Sequence, residues 1–189
     1  APANMDVRNS SLHKRNSFYF SKKAMLEIEN LRDNQTLGAG EFDYSLAYTY
    51  HWLEDPANGE LTNILHSKKA PLEGRVSYEY EGRDTLTSYI GTESSPEKVG
   101  RVLDDNTTQL HQYDYNGAGQ AIESIDPAGR TSKYYYDVVD RLTSVTQVNG
   151  MAEDTLMTFA DFHSSRHPET VTDAAGQETT YAYNSDGNP

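Results

Sequence analysis

The aromatic residues of this chain recur at alternate positions within short polar segments. Five clusters show this spacing: Tyr48 with Tyr50, Tyr78 with Tyr80, Tyr113 with Tyr115, Tyr134 with Tyr135 and Tyr136, and Tyr181 with Tyr183. Side chains at i and i+2 point to one face of a β-strand, whereas on a helix they lie on nearly opposite sides. Thr and Val dominate the surrounding positions and favour sheets. The pattern therefore predicts a series of β-strands, each with a tyrosine face.

The clusters also keep a period. Tyr115 and Tyr136 are 21 residues apart, and so are Phe162 and Tyr183. Other residues recur at fixed offsets inside both units: Asp126 and Asp173, Gly129 and Gly176, Tyr134 and Tyr181. Between the units the spacing is 26 residues, and the segment around Gly150 is the expected place for the insertion. The matched offsets predict a repeated structural unit of about 21 residues.

Each unit has the composition of two strands separated by tight turns. Asp126, Pro127 and Gly129 stand in the order typical of a type I turn. The Asn-Gly pair at 116–117 supplies the positive φ that many hairpins need. A second strand is predicted over 121–125, and its counterparts over 141–148 and 170–172. Strand, turn, strand and turn within this length predict an antiparallel meander.

At these residues the chain resembles the YD repeat of the RHS proteins. The first matching pattern is Tyr136, Asp137, Arg141, Leu142, Val145 and Thr146, and the second is Asp126, Pro127, Gly129, Arg130, Thr131, Tyr134 and Tyr136. The chain departs from the family pattern at Gln120, where Arg is usual, at Asp140, where Gly is usual, and at Phe162, which replaces a tyrosine. The residues expected to build the repeat are Tyr113, Tyr115, Asp126, Pro127, Gly129, Tyr134, Tyr136, Asp137, Arg141, Phe162, Asp173, Gly176, Tyr181 and Tyr183.

The resemblance implies an all-β fold: an antiparallel ribbon of β-hairpins that spirals into a hollow shell. In bacterial polymorphic toxins and insecticidal toxin complexes, such a shell encloses a cleaved toxic C-terminal segment, and animal teneurins carry a similar barrel. The chain is accordingly expected to be a non-catalytic piece of a longer shell, from a bacterial protein that is secreted or on the cell surface. Its expected partners are the rest of the shell and an enclosed toxin. The family's aspartyl self-cleavage segment has no match here.

Three segments are predicted along the chain. Residues 1–40 form an N-terminal segment expected to be β-strands without a clear repeat, although residues 24–31 fit a helix or a strand. Residues 41–110 hold degenerate copies of the repeat. Residues 111–189 hold regular copies and end inside an expected turn, so the last copy is taken to be truncated.

Composition narrows the function. The chain of 189 residues has 16 Lys and Arg against 29 Asp and Glu, a net charge of -13, which argues against a nucleic-acid partner. The absence of cysteine excludes disulfides and Cys-ligated metals. No apolar run approaches the roughly 20 residues that span a bilayer. Only 35% of residues are hydrophobic, but 14 are tyrosines, so the predicted core is rich in tyrosine.

Candidate chemical groups are few, and each has an alternative structural role. His163 and His167 have the spacing of zinc ligands on a helix, but on a strand this spacing is about 13 Å, so turn histidines are expected. Asp104, Asp105 and Asn106 suit either a Ca²⁺ ligand set or a solvated hairpin tip. The recurring aspartates could form a catalytic pair, but their place in each turn favours side-chain capping. No metal, cofactor or catalytic residue is therefore predicted.

Two binding hypotheses remain open. Trp52 and exposed tyrosines could stack on sugars, which would make the chain a carbohydrate- or cell-surface-binding module. The segment 13–23 is basic with aromatic residues interleaved and suits either a heparin-type patch or an edge strand protected by lysines. The open ends of a truncated ribbon also predict association through edge strands. An enzyme with a carboxylate pair on a β scaffold is the least favoured hypothesis.

Overall fold

The computed structural model describes residues 1–7, 12–30, 42–55, 59–83, 92 and 94–188. These residues form one α-helix and twelve β-strands. The elements are β1 (Asn16–Tyr19), α1 (Lys22–Asn30), β2 (Tyr48–Glu54), β3 (Leu61–Lys69), β4 (Val76–Tyr80), β5 (Pro96–Val102), β6 (Thr108–Tyr115), β7 (Ala121–Ile125), β8 (Thr131–Tyr136), β9 (Leu142–Asn149), β10 (Ala152–Phe162), β11 (Pro168–Asp173) and β12 (Glu178–Thr180). Parts of the two predicted segments 1–40 and 41–110 lie outside the described residues.

The chain folds as two compact units. The N-terminal unit is Ala1–Leu110 and the C-terminal unit is His111–Pro189. Within the N-terminal unit each strand from β1 to β5 pairs antiparallel with the next. Within the C-terminal unit the strands from β6 to β12 pair in the same sequential way. The prediction of an all-β antiparallel ribbon of hairpins is confirmed.

The N-terminal segment contains helix α1 after strand β1. Ala24 and Ile28 are buried and stand four residues apart, which places them on one helical face. The Ser21 hydroxyl accepts the backbone N–H of Ala24 at 3.1 Å and so caps the first turn. Of the helix and the strand that residues 24–31 fit by sequence, the structure has the helix.

The core of the N-terminal unit is small and largely polar. Its buried apolar residues include Ala47, Leu53 and Tyr80. Its buried polar residues are Thr49, His51, His66, Ser67, Ser77 and Glu79. In β2 the buried positions alternate with Tyr48, Tyr50 and Trp52, so the aromatic face of this strand is its more exposed face. The low hydrophobic content of the chain is thus reflected in a core that depends on hydrogen bonds.

The C-terminal unit is built without a comparable core. Among its described residues, Thr146 is buried but no large apolar side chain is. Most strand positions are half-buried, and β12 is fully exposed. A sheet of this kind gains stability from cross-strand pairs, turns and hydrogen bonds rather than from a packed interior.

The longest hairpin of the C-terminal unit contains the insertion. β9 and β10 meet at a turn where Gly150 has a φ of +65°. β10 has 11 residues and an irregular register between Thr155 and Met157. The extra residues between Tyr136 and Phe162 therefore lengthen one hairpin while leaving the pattern of sequential pairing unchanged.

Candidate functional site

The tight turn that follows strand β7 is closed by its own backbone and by an aspartate side chain. The N–H of Asp126 donates to the carbonyl of Arg130 at 3.0 Å, and the N–H of Gly129 donates to the carbonyl of Asp126 at 2.9 Å. Asp126 Oδ1 accepts the backbone N–H groups of Ala128 and Arg130 at 2.9 and 3.0 Å. Four hydrogen bonds thus fix five residues, which we call the Asx turn.

The Asx turn recurs along the C-terminal unit. Copies with the same four hydrogen bonds begin at Asn116, Asp126, Asp137, Asp173 and Asn184. In two copies an arginine at the fifth position also pairs with the aspartate, as Arg130 does with Asp126 and Arg141 with Asp137. These contacts, with the turn's own N–H groups, hold the pKa of Asp126 and of Asp137 below its usual value. The recurring aspartates are thus engaged in turn structure.

The fourth residue of each Asx turn has a left-handed backbone. Gly129 and Gly176 have φ values of +79° and +78°, a conformation that glycine adopts without strain. Asp140 occupies the same place with a φ of +65°. Asp and Asn tolerate this region better than most residues with a side chain. The replacement of Gly by Asp140 therefore keeps the turn.

The second tyrosine of a cluster reaches back to an earlier strand. The hydroxyl of Tyr136 donates to the carbonyl of Ala121 at 2.9 Å, and that of Tyr183 donates to the carbonyl of Pro168 at 3.0 Å. In both cases the two residues are 15 positions apart. We call this contact the tyrosine clasp. It joins the end of one strand to the start of an earlier one across the intervening Asx turn.

The same clasp occurs in the N-terminal unit. The hydroxyl of Tyr80 donates to the carbonyl of Leu65 at 2.6 Å, again over 15 positions. Tyr80 is 4% exposed, and burial raises the pKa of its hydroxyl to about 12. Phe162 has no hydroxyl, and the guanidinium of Arg141 lies 4.3 Å from the centre of its ring instead. The same type of contact therefore occurs in both units, and residue identity alone did not show this similarity.

The remaining repeat residues lie beside these contacts. The rings of Tyr113 and Tyr115 are 6.4 Å apart, and those of Tyr181 and Tyr183 are 6.5 Å apart, each pair on one face of the chain. The hydroxyl of Tyr134 lies 3.0 Å from Ser124 Oγ. Pro127 takes the second, exposed position of its turn, and Gly176 the fourth position of the turn at Asp173. Together these groups form a structural site distributed over the strands and turns of the C-terminal unit.

Comparison with known proteins agrees with this geometry. Residues 115–150 match the family model named RHS Repeat. This range contains three Asx turns and the Tyr136 clasp. The residues within this range that match the family model build turns and strand contacts.

Two known proteins are similar to parts of this chain. The double-stranded DNA deaminase toxin A of Burkholderia cenocepacia (strain H111) is 35% identical over 71 residues, which are 38% of this chain and 4% of that protein. The chain therefore spans a small part of that relative's length. A structure of the Photorhabdus luminescens Tc holotoxin pore with the mutation TccC3-D651A superposes with a TM-score of 0.46 at 10% identity, over 75% of this chain and 9% of that one.

The histidines after strand β10 replace the aspartate of an Asx turn. His163 N–H donates to the carbonyl of His167 at 2.9 Å, so the two residues are close rather than spread along a strand. Their Nδ1 atoms lie 2.7 and 3.2 Å from Ser165 Oγ, and both rings contact Tyr183. These residues therefore lie in a turn, where turn histidines were expected, and not along a strand. In the described part of the chain, no group of three or more His, Asp or Glu is arranged to hold a metal.

Trp52 is not presented as an open platform. Its indole stacks on Tyr50 at 6.4 Å, and its Nε1–H donates to Ser17 Oγ. In the basic segment, Lys14, Lys22 and Lys23 are exposed, whereas Arg15 is half-buried and pairs with Glu54. Phe18 and Tyr19 of edge strand β1 are 43% and 58% exposed. The segment thus combines an edge strand with flanking lysines.

The acidic hairpin tip before β6 is held by its own side chains. Asp105 Oδ1 accepts the N–H and the hydroxyl of Thr107 at 2.9 and 2.6 Å. These bonds lower the pKa of Asp105. Asn106 has a φ of +64°, as the fourth residue of an Asx turn does. The tip is therefore another turn of the same backbone form, with Leu103 at its first position.

A carboxyl pair in the N-terminal unit was missed from sequence. Glu79 is 6% exposed and accepts Lys98 Nζ at 2.6 Å and the N–H of Asp6 at 2.5 Å. Burial alone would raise the pKa of Glu79, but Lys98 and Asp6 bring it below its usual value. Burial and the nearby Glu79 raise the pKa of Glu97. The alternation in Tyr78-Glu79-Tyr80 predicts only that Glu79 points away from the tyrosines.

A second carboxylate is engaged on the surface of the C-terminal unit. Glu153 accepts hydrogen bonds from Lys133, Tyr135 and Thr146, which lower its pKa to about 2. These residues come from three consecutive strands, β8, β9 and β10. The hydrogen bonds of Glu153 thus hold these three strands of the ribbon together.

No helix of the described residues has the length and apolar character needed to cross a membrane.

Proposed function

We propose that the chain is a non-catalytic segment of an RHS-repeat shell that encloses or presents a toxin-like segment of its parent protein. The observation that carries this proposal is the Asx turn, which occurs three times in the range that matches the RHS repeat and is accompanied there by the Tyr136 clasp. Sequential hairpins with a constant turn form a ribbon that can be extended indefinitely. The partial similarity to a deaminase toxin supports a parent protein that carries an enzymatic segment elsewhere.

The engagement of the aspartates supports a non-catalytic role. Asp126, Asp137 and Asp173 each give Oδ1 to two backbone N–H groups of their own turn. A general acid or base needs a carboxyl group that reaches a substrate. The partners of this chain are, in this proposal, the remaining turns of the shell and the enclosed segment. The parent is secreted or displayed on the surface of a bacterial cell.

The proposal is tested on the full-length parent protein by limited proteolysis. The enclosed segment is expected to stay intact while exposed loops are cut, and to become sensitive once the repeats are unfolded by denaturant. A variant with Ala at Tyr136 and Tyr183 removes two clasps and is expected to release the segment earlier. Cleavage of the segment at the same rate in native and unfolded parent would contradict enclosure. Fractionation of the producing cells tests the location.

A carbohydrate-binding role is the second candidate, and a groove in the C-terminal unit supports a proposed site apart from Trp52. A groove of about 460 Å³ lies in the C-terminal unit, with Asp114, Asn116, Glu123, Lys133 and Tyr135 among its lining residues. Carboxylates, an amide and an aromatic ring are the groups that recognise sugar hydroxyls and ring faces. Tyr135 is 41% exposed, as a stacking platform needs to be.

Glycan-array binding distinguishes this second candidate. Tyr135→Ala is expected to abolish any glycan signal, whereas Tyr181→Ala, which removes a tyrosine of similar exposure outside the groove, is expected to retain it. Equal loss of the glycan signal in both variants, or no signal from the unmodified chain, would contradict the carbohydrate-binding role and leave the shell segment as the remaining proposal.

We also propose that the isolated chain associates through its terminal edge strands. β1 and β12 each pair with one neighbour in the described sheet, and β12 is exposed along its whole length. Edge strands present unpaired N–H and C=O groups to a second chain. Sedimentation velocity is expected to show concentration-dependent oligomers that Thr180→Pro reduces, because Pro removes a backbone donor that points away from β11. A monomer at all concentrations would refute this.

A further inference from the structure

Two buried histidines contact each other across neighbouring strands of the N-terminal unit. His51 lies in β2 and His66 in β3, and their ring centroids are 5.2 Å apart. His51 is 0% exposed and His66 is 2% exposed. Neither ring can therefore gain a shell of water without a movement of the strands that carry them.

The hydrogen bonds around the pair suit uncharged rings. His51 Nδ1 lies 3.0 Å from Asn16 Oδ1. A hydrogen bond to the backbone carbonyl of Lys14 raises the pKa of His51, but burial lowers it by more. In the described part of the chain, His66 Nε2 has no hydrogen-bond partner. A neutral imidazole can leave one nitrogen as an unprotonated acceptor, whereas an imidazolium carries two N–H donors. Protonation of His66 would thus bury a donor without an acceptor, which is costly.

The charged groups that act on the pair are guanidinium groups. The positive charges of Arg15, before β1, and Arg75, before β4, lower the pKa of both histidines. The charge of Arg83, after β4, lowers the pKa of His66. Glu54 of β2 pairs with Arg15, and Ser67 of β3 accepts Arg75 at 3.0 Å. Burial first, and these positive charges second, lower the pKa of His51 to about 4 and of His66 to about 3.

We propose that the His51–His66 pair makes the N-terminal unit open in mildly acidic solution, by separating β2 from β3 once the rings take up protons. In the opened state the imidazoles regain water and an ordinary pKa near 6.5. The opened state then binds more protons than the folded state below this value. The stability contributed by the neutral pair is therefore complete above about pH 6.5 and is lost as the pH falls toward 4.

The Asx turns respond in a different window. The pKa of Asp126 and of Asp137 is held below the ordinary aspartate value of 3.8. Their stabilisation is present above this value and is lost only at lower pH. Mild acid is therefore expected to open the N-terminal unit while the C-terminal unit keeps its turns. The inference stands whether or not the parent encloses a toxin, so its failure leaves the proposed function untouched.

Trp52 allows a direct test on the full chain. It is the single tryptophan, it neighbours His51 in β2, and its fluorescence in a denaturant series gives the opening constant of the N-terminal unit at each pH. The constant is expected to rise on the order of a hundredfold between about pH 7 and pH 5. The slope of its logarithm against pH, which counts the protons taken up, is expected to lie between one and two.

The variant His51→Gln with His66→Gln is expected to bring this slope close to zero. His13→Gln, at an exposed position, is the matched control and is expected to keep the original slope. An unchanged slope in the double variant would overturn the proposal. If that variant does not fold, NMR titration of the unmodified chain decides. Imidazole signals of His51 and His66 that titrate near pH 6.5 in the folded chain would refute it, and signals that shift only on opening support it.

Discussion

The two units of this chain stabilise the same kind of ribbon in different ways. The N-terminal unit buries Leu53, Tyr80 and several polar side chains, and it adds a helix whose Ala24 and Ile28 are buried. The C-terminal unit buries no large apolar side chain among its described residues, but it repeats one turn five times with four hydrogen bonds in each. Regular turns and clasps can thus replace a core, and irregular sequence requires one.

This difference predicts that the clasp tyrosines contribute unequally. Tyr80→Ala removes a buried ring and is expected to destabilise the N-terminal unit by about 3–5 kcal/mol. Tyr136→Ala removes a half-buried ring and is expected to cost roughly 1–3 kcal/mol in the C-terminal unit. Hydrogen exchange resolved by peptide measures the two units separately in one chain. Equal losses would show that the C-terminal ring is as tightly packed as Tyr80.

The Asx turns offer a sharper test within the C-terminal unit. Gly129→Ala forces a side chain into a φ of +79° and is expected to cost about 1–2 kcal/mol. A Cβ at this position would have no other atom within 4 Å, so the loss of stability would come from the backbone conformation and not from a steric clash. Gly117→Ala is the matched control, since Gly117 also has open space but no positive φ, and it is expected to be nearly neutral. The same cost at both positions would argue against the left-handed turn.

The aspartates of the turns are expected to act mainly through one oxygen. Asn116 and Asn184 make the same backbone contacts without a charge, so Asp126→Asn is expected to change the stability of the C-terminal unit only slightly at neutral pH. The pKa of Asp126 is lowered in the folded chain, so its charge stabilises above the ordinary value and ceases to do so in stronger acid. The variant should therefore lose less stability than the unmodified chain below about pH 4, as measured by hydrogen exchange.

The smallest expected effect is a gain. Phe162→Tyr supplies the hydroxyl that the other clasps use, and a new hydrogen bond is worth roughly 0.5–1.5 kcal/mol. Because the insertion lengthens the β9–β10 hairpin, the equivalent carbonyl at the start of β9 belongs to Leu142, opposite the end of β10. Exchange of amides in β9 and β10 is expected to slow. Unchanged exchange would mean that the contact between Arg141 and the Phe162 ring holds the residue away from that carbonyl.

The sequence predicts the C-terminal unit well because its signals are local. Tyr134 and Tyr136, Asp126 and Gly129 each determine strand or turn geometry within a few residues, and the second strand predicted over 121–125 has those bounds. The N-terminal unit depends on distant partners. Nothing beside His51 in the sequence points to His66, and Glu79 meets Lys98 and Asp6 only through the sheet. Burial of polar residues cannot be inferred from a local pattern.

The same distinction applies at two further places. The helix of residues 22–30 has an apolar spacing that also fits a strand, and its tertiary burial decides between them. His163 and His167 are expected in a turn, but their sequence does not show that the His163 imidazole takes the role of an Asx side chain by accepting the N–H of Ser165 at 3.2 Å. That turn is recognised because its backbone hydrogen bonds match those of the Asx turns.

The fixed distance of 15 residues in the tyrosine clasp bears on how the ribbon assembles. Each clasp is a contact of low sequence separation, and closing a short loop carries a small entropic cost. Chains dominated by such local contacts fold faster than those that depend on distant ones. Each hairpin can therefore fasten to its predecessor as soon as the ribosome has released it. A very long ribbon built this way can grow from its N-terminus during synthesis, with little unpaired strand exposed at any moment.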